Sequence, residues 1–360
     1  MSLDFADLLL EVIERNASDL HLTAGAHPTV RVRGRLQGLE DYPVLTTERT
    51  REIVYSILTN DQRQRLETDW QIDFAYSIPA RARFRVNAYY QRGAIGAAFR
   101  LIPTTIKNVE ELGLPLVIHE LAKRPRGFVL VTGPTGSGKS TSLAAVIDEI
   151  NATREEHIMT IEDPIEFLHG HKKCIVNQRE IGADAQSFAL GLRAALRQDP
   201  DVILVGEMRD LETIHTALTA AETGHLVFAT LHTQDTPQTI DRIIDVFPAS
   251  QQQQVRVQLS VALQGIITQQ LLPTADGAGR VAACEVLLAT PAIRNLIREG
   301  KTHQIYSSLQ TGANIGMQTM DAALATLVRA GKITQKLAES RSSTPDELRR
   351  LLGASSFASI

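Results

Sequence analysis

Gly133-Pro-Thr-Gly-Ser-Gly-Lys-Ser140 decides the fold, because it follows the apolar run Phe128-Val-Leu-Val-Thr132 and precedes the helical stretch Thr141–Ile150. The octapeptide satisfies the pattern G-x-x-x-x-G-K-[ST], which binds phosphate when a buried strand precedes it and a helix follows it. The glycines let successive backbone N–H groups turn inward, and the helix N-terminus adds positive potential. The sequence therefore predicts a nucleotide site made of Gly133, Pro134, Thr135, Gly136, Ser137, Gly138, Lys139, Ser140 and Thr141.

Lys139 and Ser140 have separate predicted roles in this site. Lys139 is expected to reach the β- and γ-phosphates, and the Ser140 hydroxyl is expected to ligate Mg²⁺. The predicted cofactors are therefore ATP and Mg²⁺. The alternative is a glycine-rich structural turn, and the flanking strand and helix both argue against it.

Strand-like apolar runs alternate with helical stretches around the octapeptide. This rhythm is typical of a mostly parallel sheet that is covered by helices on both faces. We place the strands at Gly127–Thr132, His157–Ile161, Val202–Val205 and Leu226–Thr230. From about Pro248 the chain is predicted to be largely helical, and Thr344-Pro-Asp-Glu347 is predicted to open the last helix as a capping box.

Three of these strands end in side chains that suit phosphoryl chemistry. Glu162, Glu207 and His232 follow the ends of the second, third and fourth predicted strands. Ligands bind outside the carboxyl ends of parallel strands. Glu207 is predicted to polarise the attacking water or to hold Mg²⁺ through water, and Glu162 is a second candidate for the ion. Each assignment has a purely structural alternative. Glu207 would be a surface glutamate, Glu162–Glu166 a solvated acidic turn and His232 a structural histidine.

The first hundred residues are predicted to form a small α+β unit with an antiparallel sheet. We place the domains at residues 1–102 and 114–360, with a linker over 103–113 that contains Pro103 and ends at Gly113. The predicted elements before the linker are helices at Thr47–Leu58 and Asp61–Glu67 and strands near Asp73–Ile78, Arg81–Tyr90 and Ala94–Ile102.

Arginines are concentrated on one predicted strand of this first unit. Arg81, Arg83 and Arg85 alternate with apolar residues, so their side chains are expected to project from one sheet face. That face is either solvated or meets ATP, whose transition state gains from guanidinium donors. Later in the chain, Arg193 and Arg197 lie one helical turn apart and either serve the nucleotide site or pair with nearby aspartates.

Composition excludes several other classes of protein. The chain has 360 residues, 37 Lys+Arg against 41 Asp+Glu, a net charge of −4 and 5% aromatic residues, which argues against a nucleic-acid motor with a basic, aromatic channel. Two cysteines cannot form a four-thiolate zinc site, so we expect no zinc and a reducing cytoplasm. The longest uncharged run, Val257–Ala275, carries too many amides to insert into a membrane.

Taken together, these segments resemble the secretion-superfamily hexameric ATPases of type II secretion and type IV pili, and within them the pilus retraction members. The resemblance covers nearly the whole chain. The marks are Ser18–Gly25, the Walker A octapeptide, the "Asp box" Thr160–Phe167, the Walker B segment Gln198–Asp210, the "His box" Thr223–Thr233 and Ala292-Ile-Arg-Asn-Leu-Ile-Arg298.

The resemblance implies a PAS-like N-terminal domain followed by a RecA-like P-loop ATPase domain, assembled as a homo-hexamer. It implies a cytoplasmic motor at the inner face of the cytoplasmic membrane that works with a platform protein and other pilus motor ATPases and powers retraction. By position, the resemblance implies that Glu207 is the Walker B catalytic glutamate and that His232 belongs to the His box. The Asp-box acids would be Glu162, Asp163 and Glu166, and the arginines that approach nucleotide would be Arg85, Arg100 and Arg193.

Three alternatives stay open at this point. An accessory retraction paralogue and an assembly or secretion ATPase belong to the same family, and the segment Ala292–Arg298 favours retraction over assembly. The cysteine-rich zinc insertion that assembly and secretion members often carry is absent. A module that senses ATP without cleaving it is a third alternative, and intact Lys139, Ser140 and Glu207 argue against it.

Overall fold

A computed structural model describes residues 4–78, 81–103 and 105–353. The chain divides into two compact units, the first made of Met1–Thr105 with Glu166–Leu168 and the second of Ile106–Ile165 with His169–Ile360. None of the helices in the described ranges is long and apolar enough to cross a membrane.

The first unit contains a six-stranded sheet in the order β3-β2-β1-β6-β5-β4, in which every pairing is antiparallel. Apolar side chains from one sheet face and from the helices, such as Leu8, Phe84 and Phe99, form its core. Its described elements are α1 (Phe5–Glu14), β1 (Asp19–Leu22), β2 (Thr29–Val32), β3 (Arg35–Gly38), α2 (Thr47–Ser56), α3 (Asn60–Asp69), β4 (Gln71–Ile78), β5 (Ala82–Gln91) and β6 (Ala94–Ile102).

The second unit is built on a seven-stranded sheet whose pairings are parallel except for the one between its last two strands. Its strands are β7 (Gly127–Thr132), β8 (His157–Glu162), β9 (Ile175–Glu180), β10 (Val202–Val205), β11 (Leu226–Leu231), β12 (Leu263–Pro273) and β13 (Arg280–Leu288). The order is β13-β12-β7-β11-β10-β8-β9, with β12 and β13 antiparallel.

Helices cover both faces of this second sheet. Alternate residues of β7 point to opposite faces, so Leu130 joins one buried cluster and Val129 joins the other. The helices are α4 (Val117–Ala122), α5 (Lys139–Thr153), α6 (Phe188–Ala195), α7 (Leu211–Glu222), α8 (Thr236–Asp245), α9 (Ala249–Ala262), α10 (Pro291–Arg298), α11 (Ile305–Thr311), α12 (Met320–Arg329), α13 (Gln335–Arg341) and α14 (Pro345–Leu351).

The α/β class, the mostly parallel sheet and the helical C-terminal part are confirmed, whereas the likeness of the first unit to a PAS domain stays a prediction. The expectation of a largely helical chain after Pro248 is incomplete, because β12 and β13 form a long hairpin there. β12 pairs with β7 in parallel, directly beside the strand that precedes the octapeptide.

The capping box at Thr344 is wrong. The Thr344 side chain makes no capping hydrogen bond to α14, although the helix begins at Pro345 as expected. The Thr344 N–H instead donates to the buried Asp321 carboxylate at 3.1 Å, and Glu347 accepts from the Tyr306 hydroxyl at 2.8 Å. Tertiary partners have therefore replaced the local pair.

Candidate nucleotide site

The phosphate-binding loop Gly133–Ser140 joins β7 to α5, as its flanking sequence predicts. The Lys139 ammonium donates to the Gly133 carbonyl at 2.8 Å and to the Pro134 carbonyl at 3.1 Å, so it lies over the mouth of the loop. Ser137 Oγ is buried and has no partner among the described residues. An inward hydroxyl and a central ammonium in a turn of N–H groups suit the oxygens of a di- or triphosphate.

Glu207 lies at the same sheet edge as this loop. β10 and β7 are separated by β11 alone, and all three run parallel, so their carboxyl ends share one side of the sheet. The loop after β10 is fixed on both sides, since the Gly206 N–H donates to the Ile161 carbonyl at 2.8 Å and the Thr230 hydroxyl donates to the Gly206 carbonyl at 2.5 Å. These bonds set the position from which the Glu207 side chain projects.

Two side chains contact the Glu207 carboxylate. Arg209 donates to both of its oxygens, at 2.5 and 2.7 Å, and His232 Nε2 lies 2.8 Å from Oε1. Burial acts to raise the pKa of Glu207, but the Arg209 hydrogen bond and the charge of His232 outweigh it and lower that pKa. Glu207 is therefore a carboxylate at neutral pH, better suited to orient a water molecule than to remove its proton in the ground state.

Glu162 is the third strand-end acid of this edge and ends β8. Its Oε1 accepts from the Thr160 hydroxyl at 2.6 Å and from the Gln178 amide at 3.1 Å. These two hydrogen bonds hold the Glu162 carboxylate at the end of β8.

The other predicted residues are Glu166, Arg85, Arg100 and Arg193. Glu166 is exposed and is grouped with the first unit, as are the two arginines from β5 and β6. Arg100 donates to the Asp19 carboxylate at 2.9 Å, and Arg85 lies 3.8 Å from that of Asp73. Arg193, on α6, is exposed and pairs with Glu212 of α7. Their approach to nucleotide stays a prediction.

An ion at this edge would need ligands beyond the protein. The described residues contain no group of three or more His, Cys, Asp and Glu side chains able to hold a metal. Mg²⁺ in nucleotide sites takes most of its ligands from phosphate and water, and one or two side chains complete the set. Ser140, half-buried in the first turn of α5 next to the phosphate loop, fits that donor set, with Glu207 and Glu162 as further candidates.

Sequence reasoning missed a cavity of about 380 Å³ beside the loop. It lies against Thr141 and Ser142 of α5 and is closed by residues far away in the chain, among them Lys107, Leu271 and Arg280. Its size is within the range of small-molecule sites, so it has room for the base and ribose of a nucleotide. No local pattern signals it, because its walls come from segments far apart in the chain that meet only in the folded protein.

Arg209 and Gln269 were also missed. Arg209 lies two residues after Glu207 and was visible in the sequence, but an arginine next to an acid gave no reason to expect a bidentate pair. Gln269 donates to the Ser137 carbonyl at 2.7 Å. Its neighbour Gln270 carries the same functional group, so the sequence alone offers nothing that distinguishes the two.

A phosphate loop between a buried parallel strand and a helix, with an acid and a histidine at neighbouring strand ends, defines a P-loop nucleotide-binding protein. The family model described as "Type II/IV secretion system protein" matches residues 3–350. The chain therefore belongs to the type II/IV secretion system protein family.

Known proteins resemble the chain over nearly its whole length. It is 52% identical to the type IV pilus retraction ATPase PilT of Pseudomonas aeruginosa, over 96% of this chain and 99% of that protein. It is 44% identical to the type IV pilus ATPase PilU of the same organism, over 97% of this chain and 91% of that protein. A crystal structure of the pilus retraction motor PilT with bound ADP superposes with a TM-score of 0.91 and 54% identity, covering 97% of this chain and 100% of that one.

Proposed function

We propose that the protein is an ATPase that powers the retraction of type IV pili, and with it twitching motility. One observation carries the proposal: the similarity to a pilus retraction ATPase extends over both chains almost end to end. The geometry of the second unit supports it, since the phosphate loop, Glu207 and His232 share one sheet edge. The identity to the pilus retraction ATPase, 52%, exceeds the 44% identity to the type IV pilus ATPase PilU.

The reaction is ATP + H₂O → ADP + phosphate. The loop N–H groups and Lys139 bind the β- and γ-phosphates, and the cavity beside α5 takes the base and ribose. Ser140 would hold Mg²⁺ together with phosphate oxygens, and the ion would supply charge neutralisation for the transferring group. Glu207 orients the attacking water in line with the γ-phosphorus, and His232 donates to the γ-phosphate or to that water. Glu162 and Glu166 serve the ion and the water network around it.

Mechanical work requires that hydrolysis change the position of one domain against the other. In our proposal, residues 1–102 and 114–360 are the two domains and residues 103–113 connect them. Arg85, Arg100 and Arg193 are drawn to the triphosphate, and phosphate release removes the charge that holds them. Six copies in a ring, in the cytoplasm beneath the pilus platform protein and alongside other pilus motor ATPases, convert sequential closure into pilin removal.

Glu207→Gln tests the catalytic assignment. The amide keeps the size of the side chain but loses the charge that orients water, so we expect nucleotide binding within about threefold of wild type and turnover lower by about 10²–10⁴-fold. Glu120→Gln, at an exposed acid of α4, is the matched control and should hydrolyse at the wild-type rate. Wild-type turnover by the Glu207 variant would contradict the assignment.

The cellular assay separates retraction from the alternatives. Deletion of the gene should leave cells with excess pili and no twitching, because pilins are added but not removed. Cells without pili would indicate an assembly ATPase. Normal pili with weakened retraction force would indicate an accessory paralogue. Stimulation of ATP hydrolysis by DNA would instead favour a nucleic-acid motor.

A further inference from the structure

Gln269 connects the phosphate loop to the first turn of α5 from a neighbouring strand. It lies on β12 with 2% of its surface exposed. Its Nε2 donates to the Ser137 carbonyl at 2.7 Å, and its Oε1 accepts from the Ser142 hydroxyl at 2.7 Å. The carbonyl of Ser137 can only accept, so this pairing also fixes which end of the amide faces the loop. Lys139 and Ser140 lie between the two bonded residues.

The backbone at Gln269 supports the loop from the same side. A Cβ on Gly133 would lie 2.2 Å from the Gln269 carbonyl oxygen, and one on Gly138 would lie 2.8 Å from its Nε2. Both glycines have positive φ, +136° and +87°, so the loop needs glycine here for its conformation as well as for space. The phosphate loop therefore rests directly on β12 at Gln269.

We propose that Gln269 is a positioning residue that holds the phosphate loop in its nucleotide-binding conformation before nucleotide arrives. A loop that is ordered only when nucleotide binds loses conformational entropy at that step, which weakens binding. Contacts that already fix the loop reduce this loss. The Gln269 amide supplies two such contacts, one to the loop at Ser137 and one to α5 at Ser142, inside the buried layer where unpaired polar groups are costly. Because it acts through the conformation of the loop, its influence falls on nucleotide affinity. The proposal rests on the nucleotide site of the proposed function.

Gln269→Leu keeps the approximate size and removes both hydrogen bonds. We expect the Kd of a fluorescent ADP analogue and the KM for ATP to rise by about tenfold, with kcat changed by less than about threefold. Gln270→Leu is the matched control: the same substitution, one residue along β12, on the opposite face of the strand. It should leave the Kd and the KM within about twofold of wild type.

Ser142→Ala removes one of the two hydrogen bonds, the one from the Ser142 hydroxyl to Gln269. It provides a second test if the Gln269 variant does not fold. We expect a Kd about threefold higher, and no further loss when Ser142→Ala is added to Gln269→Leu, because the two residues share one bond. Equal Kd values for the Gln269 and Gln270 variants would overturn the proposal, as would a lower melting temperature with unchanged affinity. If Gln269→Leu does not fold, wild-type affinity in Ser142→Ala overturns it.

These outcomes are separate from the test of the proposed function. A wild-type protein that binds ADP without hydrolysing ATP would remove the ATPase assignment and leave the role of Gln269 in binding intact. A wild-type protein that hydrolyses ATP, but whose nucleotide affinity does not depend on Gln269, would support the ATPase assignment and overturn the role of Gln269.

Discussion

The two sides of the nucleotide site are built from different kinds of contact. On the phosphate side, Lys139 and Gln269 are buried and bond to backbone carbonyls of the loop. On the acid side, Glu207 is held by Arg209 and His232, whose side chains are 76% and 44% exposed. Buried bonds are costly to break, whereas exposed ion pairs contribute about 0–1 kcal/mol and exchange readily. Changes on the phosphate side should therefore affect binding, and changes on the acid side should affect turnover and its pH dependence.

The largest expected effect on nucleotide binding is on the phosphate side, from Lys139→Ala. Removing a charged donor to the phosphates should weaken ATP binding by roughly 10–100-fold, equivalent to about 1.5–3 kcal/mol. Because β12 holds the loop separately, the melting temperature without nucleotide should fall by only a few degrees. Fluorescent nucleotide titration and thermal unfolding measure the two effects.

The control for this change is Lys123→Ala, at an exposed lysine that pairs with Glu120. It should alter neither affinity nor melting temperature measurably. If Lys139→Ala instead unfolds the protein, the conformation of the loop depends on the lysine. The contrast between the phosphate side and the acid side is then wrong.

A smaller effect is expected on the acid side, from Arg209→Ala. The Arg209 hydrogen bond helps to hold the pKa of Glu207 below its ordinary value, against the effect of burial. In wild type, activity is lost as the pH falls through this lowered pKa. Without Arg209 the pKa rises, so the loss should begin at a higher pH, while kcat/KM at pH 7.5 changes by less than about tenfold.

A kcat/KM profile that starts at about pH 3, below the ordinary glutamate pKa of 4.5, and runs to pH 8 measures this shift. Arg341→Ala, at an exposed arginine of α13, should leave the profile of wild type unchanged. An acidic limb that stays in place in Arg209→Ala would mean that the pair does not control Glu207. An acidic limb that moves to lower pH would reverse the sign of the argument.

The same contrast explains what the sequence could predict. The phosphate loop and the strand ends that bear Glu162, Glu207 and His232 were predictable, because buried parallel strands read as continuous apolar runs and their ends converge by topology. The hairpin of β12 and β13 was not. β12 carries Gln264, Gln269 and Gln270 within an uncharged run, and its burial comes from pairing with β7, more than 130 positions earlier in the chain.

Side-chain partners were the least predictable part of the site. Thr344 and Glu347 match a local capping pattern, yet Asp321 and Tyr306 take their hydrogen bonds. Glu207 was found from its strand, but Arg209 was not recognised as its partner. In both cases the hydrogen-bond partner is set by the tertiary structure and not by the local sequence pattern. A single sequence carries no signal for such contacts.

The smallest expected effect concerns stability and comes from His119, which links α5 to the segment before α4. Its Nδ1 lies 2.8 Å from the Glu149 carboxylate and its Nε2 lies 2.9 Å from that of Glu110. The Glu149 hydrogen bond, aided by Glu110, raises the pKa of His119 against the effect of burial. The stabilisation is therefore fully present below the ordinary histidine pKa of 6.5 and is lost as the pH rises through the raised value.

His119→Gln should lower the free energy of unfolding by under about 1 kcal/mol at pH 6, because these are partly exposed pairs, and by less at pH 8.5. Urea unfolding at the two pH values measures the difference, with His303→Gln, at an exposed histidine before α11, as the control. A loss that is equal at both pH values would show that His119 acts by packing alone. A loss of several kcal/mol at pH 6 would show that this partly exposed cluster stabilises the protein as much as buried hydrogen bonds do. The distinction between buried and exposed contacts would then be wrong.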